Sequence, residues 1–447
     1  MTQVRRTEIA HRSILVTGAQ GVSGAAVLEH YAANSANTVY GLSRRSAESH
    51  DNIRHISVDL LDRPDIMAKL SVIPNPTHLF FGAYVDKKDA AEKSKINVEL
   101  LKGILEYLDE QVPSLEHITI FQGGKAYGSD LGPYKTPARE DDPRLMSPNY
   151  YYEQEDLLRS RQKGKAWNFT IIRPGGAICG LSVGSAMNLL SVIGVYATIC
   201  KEMGLPLRFP GAEKVYHAMY QVTSADILAR ATLWAGDTEA AKNQTFNVTN
   251  GDTMRWQHMW PRIAKMFDLE VADPVPFSLA TYMADKGPMW ESIVRKHNLQ
   301  PIPYDQVVSW GYGDFAFQQD FDNVSNTVKV RQAGFQDCID SEKMFTSYFG
   351  QMSAKGLLPK LSRGAQGNVQ RRRQRAAPAD IDRRTGDNQT GEALGGASPE
   401  AKSQGRSANG RWYRVSGELQ SGASDDQDWE RNVARTARQS QRSPQGL

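Results

Sequence analysis

Cysteine is scarce in this chain: Cys179, Cys200 and Cys338 are the three in 447 residues. Their spacing fits neither a metal-ligand set nor a disulfide framework. That excludes a cystine scaffold, argues against a cysteine-held metal and fits a reducing compartment. An excess of one charge is also missing. Lys and Arg total 53 against 50 Asp and Glu, a net +3, so no polyanion field and no nucleic-acid partner are expected. No apolar run is long enough to cross a bilayer, so no membrane partner is expected. Met1 to Arg12 is polar and has no signal core. These absences leave a cytoplasmic globular protein as the expectation. The sequons at Asn168, Asn243, Asn247 and Asn388 then read as chance.

What is present begins with a glycine-rich turn. An apolar run, Ile14-Leu15-Val16, leads through Thr17-Gly18-Ala19-Gln20-Gly21-Val22-Ser23-Gly24 into Ala25-Ala26-Val27-Leu28. This order predicts a buried strand turning tightly into a helix. Gly18 permits the turn, Gly21 lets a pyrophosphate approach the backbone, and Gly24 lets the helix pack closely. The phosphates of a dinucleotide would sit on the free N–H groups of the helix start, with Gln20 and Val22 among the contacts. A second strand, Thr38 to Ser43, ends in Ser43-Arg44-Arg45 where an NAD site usually carries an acid. Two guanidiniums suit a 2′-phosphate, so NADPH is the expected cofactor; a solvated basic loop is the plainer alternative. A short strand over Ile56–Leu60 places Asp59 and Leu60 beside the adenine.

Apolar runs recur at His78–Phe81, His117–Phe121 and Phe169–Ile172, with helical patterns between them, such as Asn97–Leu108. This alternation predicts an α/β fold, a Rossmann-type doubly wound parallel sheet whose ligands lie at the carboxyl ends of the strands. Residues 1–186 are expected to form the cofactor domain. Residues 187–357, mainly helical and aromatic, should form the substrate-binding part and cover. Residues 358–447 are poor in apolar side chains and read as a disordered tail. Its run Arg371-Arg372-Arg373-Gln374-Arg375 reads as solvated rather than as a polyanion patch.

Reduction needs a proton donor near the nicotinamide. The common arrangement, a Tyr with a Lys four residues later, is absent: Gln154, Glu155 and Asp156 follow Tyr150, Tyr151 and Tyr152 at that spacing. A Lys stands instead after the fifth strand, in Gln122-Gly123-Gly124-Lys125-Ala126-Tyr127-Gly128. Lys125 would hold the ribose and lower the pKa of a nearby Tyr; a surface lysine is the plainer alternative.

These motifs resemble the progesterone 5β-reductase and iridoid synthase-like family, an unusual branch of the short-chain dehydrogenases. The resemblance rests on Gly-Lys-x-Tyr, on Asn149-Tyr150-Tyr151-Tyr152-x-x-Glu155-Asp156, and on Arg173-Pro174-Gly175. It continues through Met187-Asn188-Leu189, Pro206 to Gly211, Phe246 to Asp252, Trp310 and Gly334-Phe335. It spans most of residues 12–357 and none of the tail. It implies an extended short-chain dehydrogenase/reductase that uses NADPH to reduce a carbon–carbon double bond conjugated to a carbonyl. The catalytic tyrosine of that pattern falls on Tyr151 and its lysine on Lys125. Tyr151 would hydrogen-bond the enolate oxygen as hydride reaches the β-carbon. Tyr150 and Tyr152 are expected to pack, and Tyr127 to stand behind the site.

Two segments depart from the family pattern, Gly82 to Asp86 and Cys179 to Ser185, and both are expected to line the substrate pocket. Tyr84, Met187, Asn188, Met219 and Phe335 are the candidate wall residues, and Ile178 a further cofactor contact. The expected partner is a small hydrophobic carbonyl compound, with a homodimer as a further possibility and no resident metal. Two alternatives remain open from the residues: 1,2-reduction of a ketone or aldehyde, and a non-catalytic NADPH-binding scaffold.

Overall fold

The structure is a computed structural model that describes residues 11–182, 184–185 and 187–361. Six parallel strands follow one another in the first half: β1 (Ser13–Thr17), β2 (Thr38–Ser43), β3 (Ile53–Ser57), β4 (His78–Phe81), β5 (His117–Phe121) and β6 (Asn168–Pro174). Further strands follow: β7 (Ala177–Cys179), β8 (Leu207–Arg208), β9 (Val222–Ser224) and β10 (Gln244–Val248). Among the described residues the main sheet runs β10–β6–β5–β4–β1–β2–β3. The central strands β1, β4 and β5 are covered on both faces, which is why they read as unbroken apolar runs rather than as alternation.

The helices are α1 (Val22–Ala32), α2 (Arg63–Leu70), α3 (Ala90–Gln111), α4 (Tyr150–Gln162), α5 (Leu189–Glu202), α6 (Glu213–His217), α7 (Ala225–Asp237) and α8 (Trp256–Phe267), followed by shorter segments up to a last helix, Ser341–Ala354. Side-chain oxygens of Asp62, Asp89, Asn149 and Ser224 accept the first free N–H groups of α2, α3, α4 and α7. Leu100, Leu101, Ile104 and Leu108 of α3 pack with Leu158 of α4 on one sheet face. Val27, Leu28 and Tyr31 of α1 pack with Ala229 of α7 on the other. A three-layer α/β/α stack results.

Three expectations are corrected. The third strand lies at Ile53–Ser57, so Asp59 and Leu60 follow it rather than belong to it. The division at residue 186 does not hold within the sheet: β10 pairs with β6, and α7 covers the sheet beside α1. The chain leaves for the cover and returns, because β6 still has an open edge. The tail boundary also moves. Leu357, Leu358 and Leu361 are buried in the cover's core, because their aliphatic side chains close over rings such as Phe345 and Phe349. The rest of the expected tail, 362–447 with Arg371–Arg375, lies outside the described residues.

The cover has a ring-rich core. Phe209 meets Trp256, Trp260 and Phe317 at centroid distances of 5.9, 5.2 and 5.3 Å. Beneath the sheet, at the start of β4 and β5, His78 and His117 lie buried with rings 6.3 Å apart. Burial holds them neutral, reinforced by Arg12 at both rings and by His78 and Lys242 at His117, with His78 near pKa 4 and His117 near 3. Among the described residues no helix is long and apolar enough to cross a membrane.

Candidate active site

The turn after β1 has the expected geometry. Gly18 adopts φ +66°, and a Cβ there would lie 2.5 Å from the carbonyl of Gly82. Gly24 packs against that same turn: its Cβ would stand 2.2 Å from the Gly18 oxygen. Gly21 supplies no side-chain cap to α1, so that, apart from the Val22 N–H on the Ser185 hydroxyl, the helix start is left for an anion. A cleft of about 550 Å³ opens there, lined by Gly18, Gln20, Gly21, Ser43, Arg44, Arg45, Asp59 and Leu60. Gln20 braces the loop after β2, donating to the Ser43 hydroxyl at 3.1 Å and to the Arg45 carbonyl at 2.9 Å. Arg44 and Arg45 are exposed, and among the described residues neither guanidinium has a carboxylate partner. Asp59 accepts from the Leu61 N–H at 3.0 Å. A glycine cradle, uncapped helix amides and two unpaired guanidiniums fit a dinucleotide phosphate chain.

A second cavity of about 180 Å³ shares Gly82, Ala83, Tyr84 and Met187 with that cleft. Lys125, Tyr150, Tyr151 and Ile178 line it. Two residues that sequence reasoning passed over fix the tyrosine against the lysine. Asn149 caps α4 by accepting from the Tyr151 N–H at 3.0 Å, and its amide donates to the Lys125 carbonyl at 2.8 Å. Gln122 donates to the Tyr151 carbonyl at 2.9 Å and accepts from Arg173 at 2.7 Å. Arg173 and Glu155, both buried, pair at 3.1 Å behind them. An Asn before a helical run reads as a cap, and that signal was available for Asn149. Nothing local marks Gln122, whose partners lie on α4 and β6.

Burial raises the pKa of Tyr151; the neighbouring Tyr150 side chain opposes this, Asp130 adds to the rise, and Arg173 opposes it. Arg173 is a cation that acts on Tyr151 from behind the cavity. The Lys125 ammonium stands 5.5 Å from the centre of the Phe315 ring on the cavity wall. Tyr150 packs on Tyr151 with centroids 4.4 Å apart and also lines the cavity. Tyr152 does pack, donating to the Ala126 carbonyl at 2.8 Å. Tyr127 is buried behind the cavity, donating to Asn247 at 2.5 Å, and burial pushes its hydroxyl up to about 12.

The wall residues divide. Tyr84 and Met187 line the cavity. Asn188 does not: it caps α5, and its amide donates to the carbonyls of Gly180 and Ser182 at 2.8 and 2.9 Å. Phe335 packs on Trp234, centroids 5.5 Å apart, in a separate apolar cluster with Phe246. Met219 is held on another path, its N–H donating to Asp322. The segment Gly184-Ser185 borders the cofactor cleft, where the Val22 N–H reaches the Ser185 hydroxyl at 3.3 Å. The far wall comes instead from Tyr220, from Tyr312 and Phe315 on the helix Trp310–Phe317, and from Gln319 and Asn323.

Sheet, cleft and Tyr–Lys cavity define an oxidoreductase of the short-chain dehydrogenase/reductase class. A family model described as a PRISE-like Rossmann-fold domain matches residues 50–359. The chain belongs to this family, that of progesterone 5β-reductase and iridoid synthase-like enzymes. It is 34% identical over 335 residues to (S)-8-oxocitronellyl enol synthase ISY1 of Nepeta cataria, covering 72% of this chain and 85% of the relative. It is 30% identical over 376 residues to the short chain dehydrogenase gsfE of Penicillium aethiopicum, covering 78% of this chain and all of the relative. The fold is shared with UDP-glucuronic acid 4-epimerase of Bacillus cereus, solved with UDP-glucuronic acid and NAD. That likeness has a TM-score of 0.54 at 13% identity and covers 76% of this chain and 99% of the epimerase.

Proposed function

We propose that this enzyme uses NADPH to reduce the carbon–carbon double bond of an α,β-unsaturated carbonyl compound. The observation that carries this reading is the meeting of Tyr151 and Lys125 in a cavity continuous with the dinucleotide cleft. NADPH, when bound, would supply the hydride. Arg44 and Arg45 would bind the 2′-phosphate, and Asp59 and Leu60 would border the adenine. Tyr151 would donate to the substrate carbonyl oxygen and stabilise the negative charge that develops there as the β-carbon is reduced. Lys125 would orient the ribose and add positive charge. The cavity is small and ringed by Tyr84, Tyr220, Tyr312 and Phe315, which favours a small hydrophobic substrate. The relatives named enol synthases agree with this reading, because 1,4-addition leaves an enolate or enol. Free buried thiols at Cys179 and Cys200 agree with work in the reducing cytoplasm.

The test is NADPH oxidation with a reactive enone, followed by identification of the product. A saturated ketone is expected. An allylic alcohol would replace this reading with 1,2-reduction. Tyr151→Phe is expected to cut turnover by about 10²–10³-fold, the usual loss of one oxyanion donor, with NADPH binding intact.

A further inference from the structure

The far wall of the cavity holds two primary amides, Gln319 and Asn323, beside the rings of Tyr220, Tyr312 and Phe315. Both are buried, at 8% and 4% exposure. They belong to a chain of hydrogen bonds that runs in one sense. The Gln319 Nε2 donates to the Ser129 carbonyl at 3.1 Å. A backbone carbonyl only accepts, so this bond fixes which end of the Gln319 amide is nitrogen. Its Oε1 then accepts from the Asn323 Nδ2 at 2.8 Å. The Asn323 Oδ1 in turn accepts from the Tyr134 hydroxyl at 2.8 Å. Each amide nitrogen carries two hydrogens and spends one in this chain. Among the described residues the second N–H of each has no protein partner. Bracing does not account for the pair. The backbone already fixes Asn323, whose N–H donates to the Met219 carbonyl at 2.8 Å and whose carbonyl accepts from Gln221 at 3.2 Å. A buried N–H left unpaired is costly, and a methionine or leucine of like shape would complete the wall without that cost.

We propose that Gln319 and Asn323 form a donor pole that selects a substrate carrying a second oxygen acceptor, a carbonyl or hydroxyl, apart from the enone. This rests on the reading of the cavity as the site of enone reduction. Tyr151 and Lys125 come from the start of α4 and the turn after β5, whereas the amides come from the cover, just beyond the helix Trp310–Phe317. A ligand held at Tyr151 by its reacting carbonyl offers a different part of itself to the amides. The amide oxygens are already engaged, so the pole has N–H groups to give, and the Ser129 hydroxyl on the same wall can turn to donate as well. Neutral amides offset little of the desolvation of an ionised group, which makes a neutral oxygen the matching partner. The neighbouring rings meet the hydrocarbon of such a ligand. A substrate without the second oxygen would leave buried donors unpaired, and that difference is what discriminates.

The test compares a linear enone ending in a methyl ketone with a partner of the same shape whose terminal group is isopropyl, over a series of tether lengths, with NADPH as reductant. At the best tether the wild type is expected to favour the diketone about tenfold in kcat/KM, the worth of one or two neutral hydrogen bonds. Gln319→Met keeps the length of the side chain and removes the amide, and the preference is expected to fall to about twofold or less. Asn323→Ala is the second variant and carries the test if the first does not fold. The two substrates are compared within each protein, so a general loss of turnover cancels from the ratio. Equal use of both compounds by the wild type at every tether overturns the proposal, as does a preference that the variants keep. Calorimetry measures the affinity of both compounds for the NADP⁺ complex of the same proteins. If neither compound is reduced at its C=C bond, yet the diketone binds more tightly and only while the amides are present, the pole stands and the enone reading falls.

Discussion

The α3 face of the sheet is packed mainly with aliphatic side chains, whereas the cover adds a dense cluster of rings to its aliphatic ones. On α3 and its neighbours Leu100, Leu101, Ile104, Leu105 and Leu108 interlock with Ile118, Ile120 and Ile171. In the cover Phe209, Trp256, Trp260 and Phe317 meet edge to face or tilted, and Tyr220 continues the cluster 5.6 Å from Trp256. Tyr220 and Tyr312 are at once margin of that core and wall of the cavity. The cofactor side is different again. Backbone amides, a glycine turn and exposed arginines make it, and these come from short local stretches. Cofactor recognition in this fold is thus a local property of the chain. Substrate recognition is a property of the cover's whole ring packing.

Four measurements would break or sharpen this contrast. The largest effect should come from acid, which attacks the sheet and not the cover. His78 and His117 are held neutral in the fold and bind protons near pH 6.5 when unfolded. The unfolded state therefore takes up more protons as pH falls from neutrality toward 4, and stability is lost over that window. By pH 4.5 the loss should be on the order of 2–3 kcal/mol per ring. Urea unfolding at neutral and acid pH checks it; equal midpoints would mean that the rings are already charged in the fold.

Next comes the cover's core. Trp260 is fully buried and its N–H donates to the Leu207 carbonyl at 3.2 Å. Trp260→Ala should destabilise by about 4 kcal/mol. Hydrogen exchange on the variant would show whether β1 and β4 loosen with the cover. Loosening of both makes sheet and cover one cooperative unit, and loosening of the cover alone separates them. Replacing Arg44 and Arg45 with alanine should weaken NADPH binding by about 3 kcal/mol while the melting temperature holds. Equal affinity of the wild type for NADH and NADPH would remove the arginines from cofactor choice. The smallest effect belongs to the aliphatic layer: Ile104→Val should cost about 1 kcal/mol, because neighbouring methyl groups relax into the space.

The same contrast explains what could be read from the sequence. β1, β4 and β5 fall on their apolar runs, because a strand covered on both faces is largely apolar along its length. Lys125 was legible from its place at a strand end, but Tyr151 was singled out from its neighbours only by the family resemblance, because three adjacent tyrosines at a helix start look alike locally. β10 was not legible as a sheet strand. Phe246-Asn247-Val248 has a suitable pattern, but its partner β6 lies far back in the chain and local periodicity carries no address. Phe335 and Asn188 were misplaced for a related reason. One serves a ring cluster with Trp234, the other a loop closure at Gly180, and neither task leaves a mark in neighbouring residues.

The late return of the chain into the sheet has a consequence for synthesis. Asn247 of β10 accepts from Tyr127 and donates to the carbonyls of Ala138 and Asn326, and its N–H reaches Glu140. On the ribosome the first six strands emerge with the edge of β6 bare and the backing of the Tyr–Lys cavity unfinished. A nascent chain therefore carries an open, apolar strand edge until Val248 has cleared the exit tunnel, and in that interval it is a ready client for chaperones. Limited proteolysis of stalled chains should find β6 cleavable before β10 emerges and protected after it.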